Sequence, residues 1–187
     1  MLAANGNLGS LLFSHQAAFE NFVVRGGIMK ILLSTDGSDF SKAAIDFCQN
    51  IVADPKNTSL KIVSAVGRPM PIDVEPAAFA AEYYNEMEQS LREQGQKIVE
   101  QAETAVLSLF PGGLLNLTAE VITGSPQRVI VETAREWGAD LMVIGSHGYG
   151  FWSRALLGSV SNSVVHHAPC SVLVVRTQKE DKGINNQ

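Results

Sequence analysis

From Lys30 onward the chain alternates short, wholly apolar runs with longer stretches whose apolar residues recur at helical spacing. Ile31-Leu32-Leu33 is the first run, closed by the turn residues Ser34-Thr35-Asp36-Gly37-Ser38. Phe40, Ala43, Ala44, Phe47 and Ile51 then share a helical face until Asp54-Pro55 stops it. Leu60–Val66 predicts a second strand, followed by a proline-containing loop over 67–76. A long helix is expected from Ala77 to Leu109, with Tyr83, Met87, Leu91, Ile98, Ala102 and Ala105 on its inner face. Gly95 should interrupt it, and Pro111-Gly112-Gly113 should end it. Leu117–Ile122 reads as a third strand, and Gly124-Ser125-Pro126 as an N-cap with proline at the first helical position. Val129, Ile130, Thr133, Ala134 and Trp137 mark the face of that helix. Leu141–Ile144 is a fourth strand, Ser161–His167 a short helix and Val172–Val175 a fifth strand.

Strands that are continuously apolar must be covered on both faces, which is the condition of a parallel sheet between helical layers. The pattern therefore predicts an α/β fold: a Rossmann-like, doubly wound, five-stranded parallel sheet with helices on both faces. Ligands of such sheets bind beyond the carboxyl ends of the strands, at the point where the strand order reverses. The loops at 34–38 and 145–150 leave the expected central strands at that edge.

The regular pattern spans residues 29–177, a length that fits one domain with its own core. Residues 1–28 show no period, and two readings stand side by side: a disordered or mobile N-terminal extension, and a translation start at Met29. Residues 178–187 read as a polar, flexible tail. The net charge of −5, with its acidic residues scattered, argues against a nucleic-acid partner, which needs a basic stripe. It leaves a nucleotide open, because backbone amides and a metal ion can hold phosphates. Cys48 and Cys170 are too few for a disulfide framework or a zinc site and are expected as two buried thiols in a reducing compartment. No run reaches the ~18 apolar residues of a membrane span, and residues 1–28 lack the layout of a signal peptide. The expectation is a cytoplasmic protein with no membrane partner.

The chemistry is concentrated in Gly145-Ser-His-Gly148-Tyr-Gly150-Phe-Trp-Ser-Arg-Ala-Leu-Leu-Gly158-Ser159-Val160-Ser161. Three glycines directly after a buried strand permit close backbone approach, and successive amides there can form an anion-binding concavity. Gly158-Ser159 then opens a helix, whose first N–H groups are a second phosphate site. Neither the P-loop pattern nor the dinucleotide G-x-G-x-x-G is present in its required context. His147 lacks a paired nucleophile or carboxylate and is expected to shape the loop. His166-His167 point about 100° apart on a helix, so they belong to its C-terminal end or the surface rather than to one metal ion. Arg154 is open between a phosphate contact and solvent, and Tyr149, Phe151 and Trp152 between packing and a partner surface.

Gly145, Gly148, Gly158 and Ser159 satisfy G-x2-G-x9-G-[ST]. With Ile31-Leu-Leu-Ser-Thr-Asp36-Gly-Ser38, Ala139-Asp140-Leu-Met-Val-Ile-Gly-Ser-His-Gly148 and Ser171-Val-Leu-Val-Val-Arg176, the chain resembles the universal stress protein family over about 29–177. The resemblance implies ATP as ligand, with Mg²⁺ or Mn²⁺ bound through its phosphates. It implies Asp36 at the adenosine end, Ala65 meeting the adenine through its backbone, and Ile144 and Gly145 beneath the ribose. Gly148, Gly158, Ser159 and Val160 would surround the phosphates. It further implies a homodimer paired antiparallel through Val172–Val175. Ser34 and Ala65 depart from the more apolar or bulkier residues common at these positions. The functional expectation is an adenine-nucleotide-binding stress-response or signalling module, whose occupancy controls loop order and the binding of an unknown protein partner. The alternatives are a slow ATP hydrolase or nucleotidyl transferase, and a nucleotide-independent dimeric scaffold or chaperone-like protein.

Overall fold

The computed structural model describes residues 27–69, 77–148 and 157–177. Its strands are β1 (Met29–Ser34), β2 (Thr58–Val66), β3 (Asn116–Thr123), β4 (Leu141–Gly145) and β5 (Ser171–Val175). They pair in the order β3-β2-β1-β4-β5, all parallel. The helices are α1 (Asp39–Ile51), α2 (Ala77–Leu109), α3 (Pro126–Trp137) and α4 (Ser159–His167), with a 3₁₀ turn at Pro55–Asn57. Successive strand residues point to opposite faces. Ile31, Leu33, Leu60, Ile62 and Val143 therefore pack with α1 and α2. Leu32, Val63, Met142 and Ile144 pack with α3 and α4. The doubly wound parallel sheet expected from the pattern is the observed fold. β1 lies at its centre between β2 and β4, so the order reverses between β1 and β4.

Several boundaries differ from the sequence reading, each for a local reason. β2 begins at Thr58 rather than Leu60, because its two polar leading residues are buried and satisfied. Thr58 Oγ1 donates to the Asp54 carbonyl at 2.7 Å, and Ser59 Oγ accepts from Asn116 Nδ2 at 2.9 Å. α2 runs unbroken through Gly95. That glycine is needed for close packing: a Cβ there would lie 2.8 Å from both Val66 and Val121. The buried face of α2 is Gly95, Val99, Ala102 and Val106, while Tyr83 and Met87, expected inside, are 46% and 40% exposed. α4 starts two residues earlier than its hydrophobic pattern suggests, at Ser159. Cys48 is buried as expected, and burial first, with Asp46 adding to it, pushes its thiol up to about 12. Cys170 is only half-buried. Burial raises its pKa, Asp140 adds to the rise, and a backbone hydrogen bond involving Met142 opposes it. No described helix is long and apolar enough to cross a membrane.

Candidate functional site

Beyond the carboxyl ends of β1 and β4, the loops at 35–38 and 146–148 and the start of α4 enclose a cleft of about 250 Å³. The first loop satisfies its own polar groups. Asp36 Oδ1 accepts from the Ser38 amide at 3.0 Å, and Gly37 takes φ +80°, where a side chain would be strained. Thr35 Oγ1 accepts from the Gly37 amide at 3.2 Å and donates to Ser41 Oγ at 3.1 Å. Ser41 Oγ in turn donates to the Ser38 carbonyl at 2.9 Å. Ser38 caps α1 by accepting from the Ser41 amide at 3.3 Å. A short chain of buried hydroxyls thus fixes the end of β1 to α1.

The second wall is tied to the sheet. The Ser146 amide donates to the Val175 carbonyl at 2.8 Å. The Ser146 carbonyl accepts from the Gly158 amide at 2.9 Å and lies 2.8 Å from Ser161 Oγ. Ser161 Oγ is also 3.0 Å from the Gly158 carbonyl, so its single proton is shared between two acceptors. These bonds clamp the start of α4 onto the loop after β4. Gly145 makes the close approach possible, since a Cβ there would stand 2.7–2.8 Å from the backbone of Phe40 and Ser41. His147 is held against the loop, with Nδ1 3.1 Å from Ser146 Oγ and its ring 5.1 Å from that of Phe40.

The two helices entering the site end differently. α1 has a side-chain cap, whereas α4 has Gly158 at its N-cap and no side-chain cap hydrogen bond. The first N–H groups of a helix have no intrahelical partner, and here they open at the cleft.

Asp36, Ala65, Ile144, Gly145, Gly148, Gly158, Ser159 and Val160 all line this one cleft. The Asp36 carboxylate sits against the glycine loop: a Cβ on Gly148 would be 2.6 Å from Asp36 Oδ2. Gly158 is buried, and a Cβ on it would lie 3.3 Å from the His147 Cα, so a side chain there meets fixed backbone. The sequence reading missed Thr35, Ser41, Ser161 and Ile130 as lining residues. Buried serines and threonines have the composition of turns, and only Ile130 carried a signal, the apolar face of α3. His166 and His167 are exposed, and His167 Nδ1 lies 2.8 Å from the Ser163 carbonyl. Among the described residues no three His, Cys, Asp or Glu side chains are grouped to hold a metal ion. Tyr149, Gly150, Phe151, Trp152 and Arg154 lie outside the described residues.

A doubly wound sheet with a glycine-lined cleft at its switch point defines a Rossmann-like α/β protein. The family model described as "Universal stress protein family" matches residues 27–176, and the chain belongs to that family. It is 30% identical to universal stress protein Sll1388 of Synechocystis over 158 residues, covering 80% of this chain and 99% of the relative. It is 32% identical to universal stress protein MJ0531 of Methanocaldococcus jannaschii over 166 residues, covering 86% and 91%. Among solved structures, a universal stress protein in complex with cAMP superposes with a TM-score of 0.54 and 28% identity, covering 79% of this chain and 96% of the other.

Proposed function

We propose that this cleft binds an adenine nucleotide, ATP in particular, and that the protein is a nucleotide-responsive stress or signalling module. The observation that carries the reading is the uncapped start of α4 facing the glycine loop across one cleft. Two amide-rich elements in that arrangement suit the phosphates, through their unpaired N–H groups and the positive helix end. The cAMP complex of a 28% identical universal stress protein supports the choice of an adenine nucleotide.

In this reading Ala65 and Ile130 give the apolar side on which the adenine rests, while Ile144 and Gly145 underlie the ribose. Gly148, Gly158, Ser159 and Val160 surround the phosphates. The cleft is just under the ~300 Å³ at which small-molecule pockets usually begin, so base and ribose fill it and the phosphates lie along its rim. The Asp36 carboxylate would repel those phosphates unless a divalent ion intervened. Without a described protein cluster to hold it, Mg²⁺ or Mn²⁺ would rest mainly on phosphate oxygens and water, which suits Mg²⁺ chemistry. The described lining meets the phosphates with amides and hydroxyls, which offer a transition state little extra stabilisation. Occupancy, rather than turnover, is then the signal, and any hydrolysis should run below about 1 s⁻¹.

The same reading includes a homodimer through β5. That strand pairs only with β4 among the described residues, leaving an edge that a second copy can cover antiparallel across a two-fold axis.

Denatured extracts of the purified protein, assayed chromatographically, test the ligand directly. Adenine nucleotide released in near-stoichiometric amount is the expected result. A protein that yields none, and that takes up none on incubation with ATP and Mg²⁺, would return the scaffold reading to first place.

A further inference from the structure

A second cavity, of about 600 Å³, lies where α2 passes the ends of β2 and β3. Tyr84, Glu88 and Arg92 line it from α2, Arg68 from the segment after β2, and Thr123 from the end of β3. The three α2 residues are spaced by four and stand in one row on the helix. Glutamate four positions ahead of arginine is the spacing at which helical ion pairs form. Yet among the described residues neither Glu88 nor Arg92 is in an ion pair, and Arg68 is in none. Thr123 Oγ1 is shielded from solvent with no hydrogen-bond partner. The wall that carries it is fixed, since Thr123 is in register with Val66 and the Gly124 amide donates to the Val66 carbonyl at 2.8 Å.

We propose that this cavity is a second ligand site, for a small hydroxylated anion bearing a carboxylate or phosphate group. Two guanidinium groups left without carboxylate partners offer planar forks that fit either oxyanion. Thr123 and Gly124 form the fixed wall at the end of β3 against which the ligand rests. Glu88 sets the ligand class: it opposes a bare polyanion and accepts from a hydroxyl on the bound molecule. The volume falls within the ~300–1,000 Å³ of small-molecule pockets. The site is separate from the nucleotide cleft and stands whether or not that cleft binds ATP, because none of its lining residues belongs to it.

The test is an amide- and arginine-detected NMR titration of the full chain with inorganic phosphate and, separately, with citrate. Citrate carries both carboxylates and a hydroxyl, phosphate only the oxyanion, so the two arms distinguish the sources of the shared chemistry. The expected result is saturable shifts of the Thr123 and Gly124 amides and the Arg92 Nε–H with citrate, and weaker ones or none with phosphate. The double variant R68Q/R92Q should weaken that binding at least about tenfold, as loss of charge-assisted bonds requires. Both arginines are exposed, so its remaining spectrum should match the wild type and show an intact fold. No saturable shift at Thr123 with citrate would overturn the proposal, including the cases in which phosphate alone binds or only Gly148 and Ser159 respond. Unchanged affinity in R68Q/R92Q would overturn it as well.

Discussion

The cleft between β1 and β4 is walled by glycines, backbone and short buried hydroxyls, whereas the cavity beside α2 sets three long, charged side chains, Arg68, Glu88 and Arg92, among apolar ones. In the first, the described walls are fixed when the sheet forms, so those walls lose little freedom when a ligand arrives. In the second, two arginines must give up rotamer freedom, of the order of 1–2 kcal/mol each, to meet a ligand. The difference predicts where mutations act. Changes where the cleft walls pack on the sheet, as at Gly145 and Ser161, should disturb the fold and the site together, while changes at the rim, as at Gly148, and in the cavity should disturb binding alone.

The strongest way to break that contrast is Gly145→Val. Its side chain would collide with the backbone of Phe40 and Ser41, which cannot move without shifting α1 against β4. We expect a loss of about 3 kcal/mol or more in urea unfolding. A variant as stable as the wild type would show that the close approach of α1 and β4 is not rigid.

Ser161→Ala is expected to cost less, about 1 kcal/mol. The Ser146 carbonyl keeps the Gly158 amide and the Gly158 carbonyl keeps the Asn162 amide, so neither acceptor is left unpaired. The clamp between α4 and the glycine loop would nonetheless be looser, and nucleotide affinity should fall with stability. Unfolding and calorimetric titration of the same sample would show whether the two losses move together, as a shared clamp demands.

The legibility of the sequence follows the same division. The five strands could be read because strands buried on both faces leave unbroken apolar runs, as Ile31–Leu33 and Leu141–Ile144 do. Gly145, Gly148 and Gly158-Ser159 could be read because a motif records where backbone must be bare. The hydroxyl chain of Thr35, Ser38 and Ser41 could not, since the same residues serve any exposed turn. The inner face of α2 was misread at Tyr83 and Met87, because periodicity marks a face but not how far the sheet beneath it extends. Gly95 reads as a break because helix propensity disfavours glycine. Its neighbours Val66 and Val121 arrive only in three dimensions.

The smallest effect is expected from R68Q/R92Q. Neither arginine has an ion pair or hydrogen bond among the described residues, so unfolding free energy should stay within about 0.5 kcal/mol of the wild type. A larger loss in chemical denaturation would mean that these side chains hold α2 to the sheet.

The nucleotide cleft itself is tested most directly by titrating ATP with Mg²⁺ into the wild type and Gly148→Val in a calorimeter. Gly148 is the better choice than Gly158, where the added side chain presses on the His147 backbone. At Gly148 it meets, among the described residues, the end of the Asp36 side chain, which can turn away for the loss of one hydrogen bond from the Ser38 amide. The account predicts saturable binding by the wild type, and none by a Gly148→Val protein whose circular dichroism and melting remain close to it. Equal affinity in the two proteins would place the phosphates elsewhere and contradict the site.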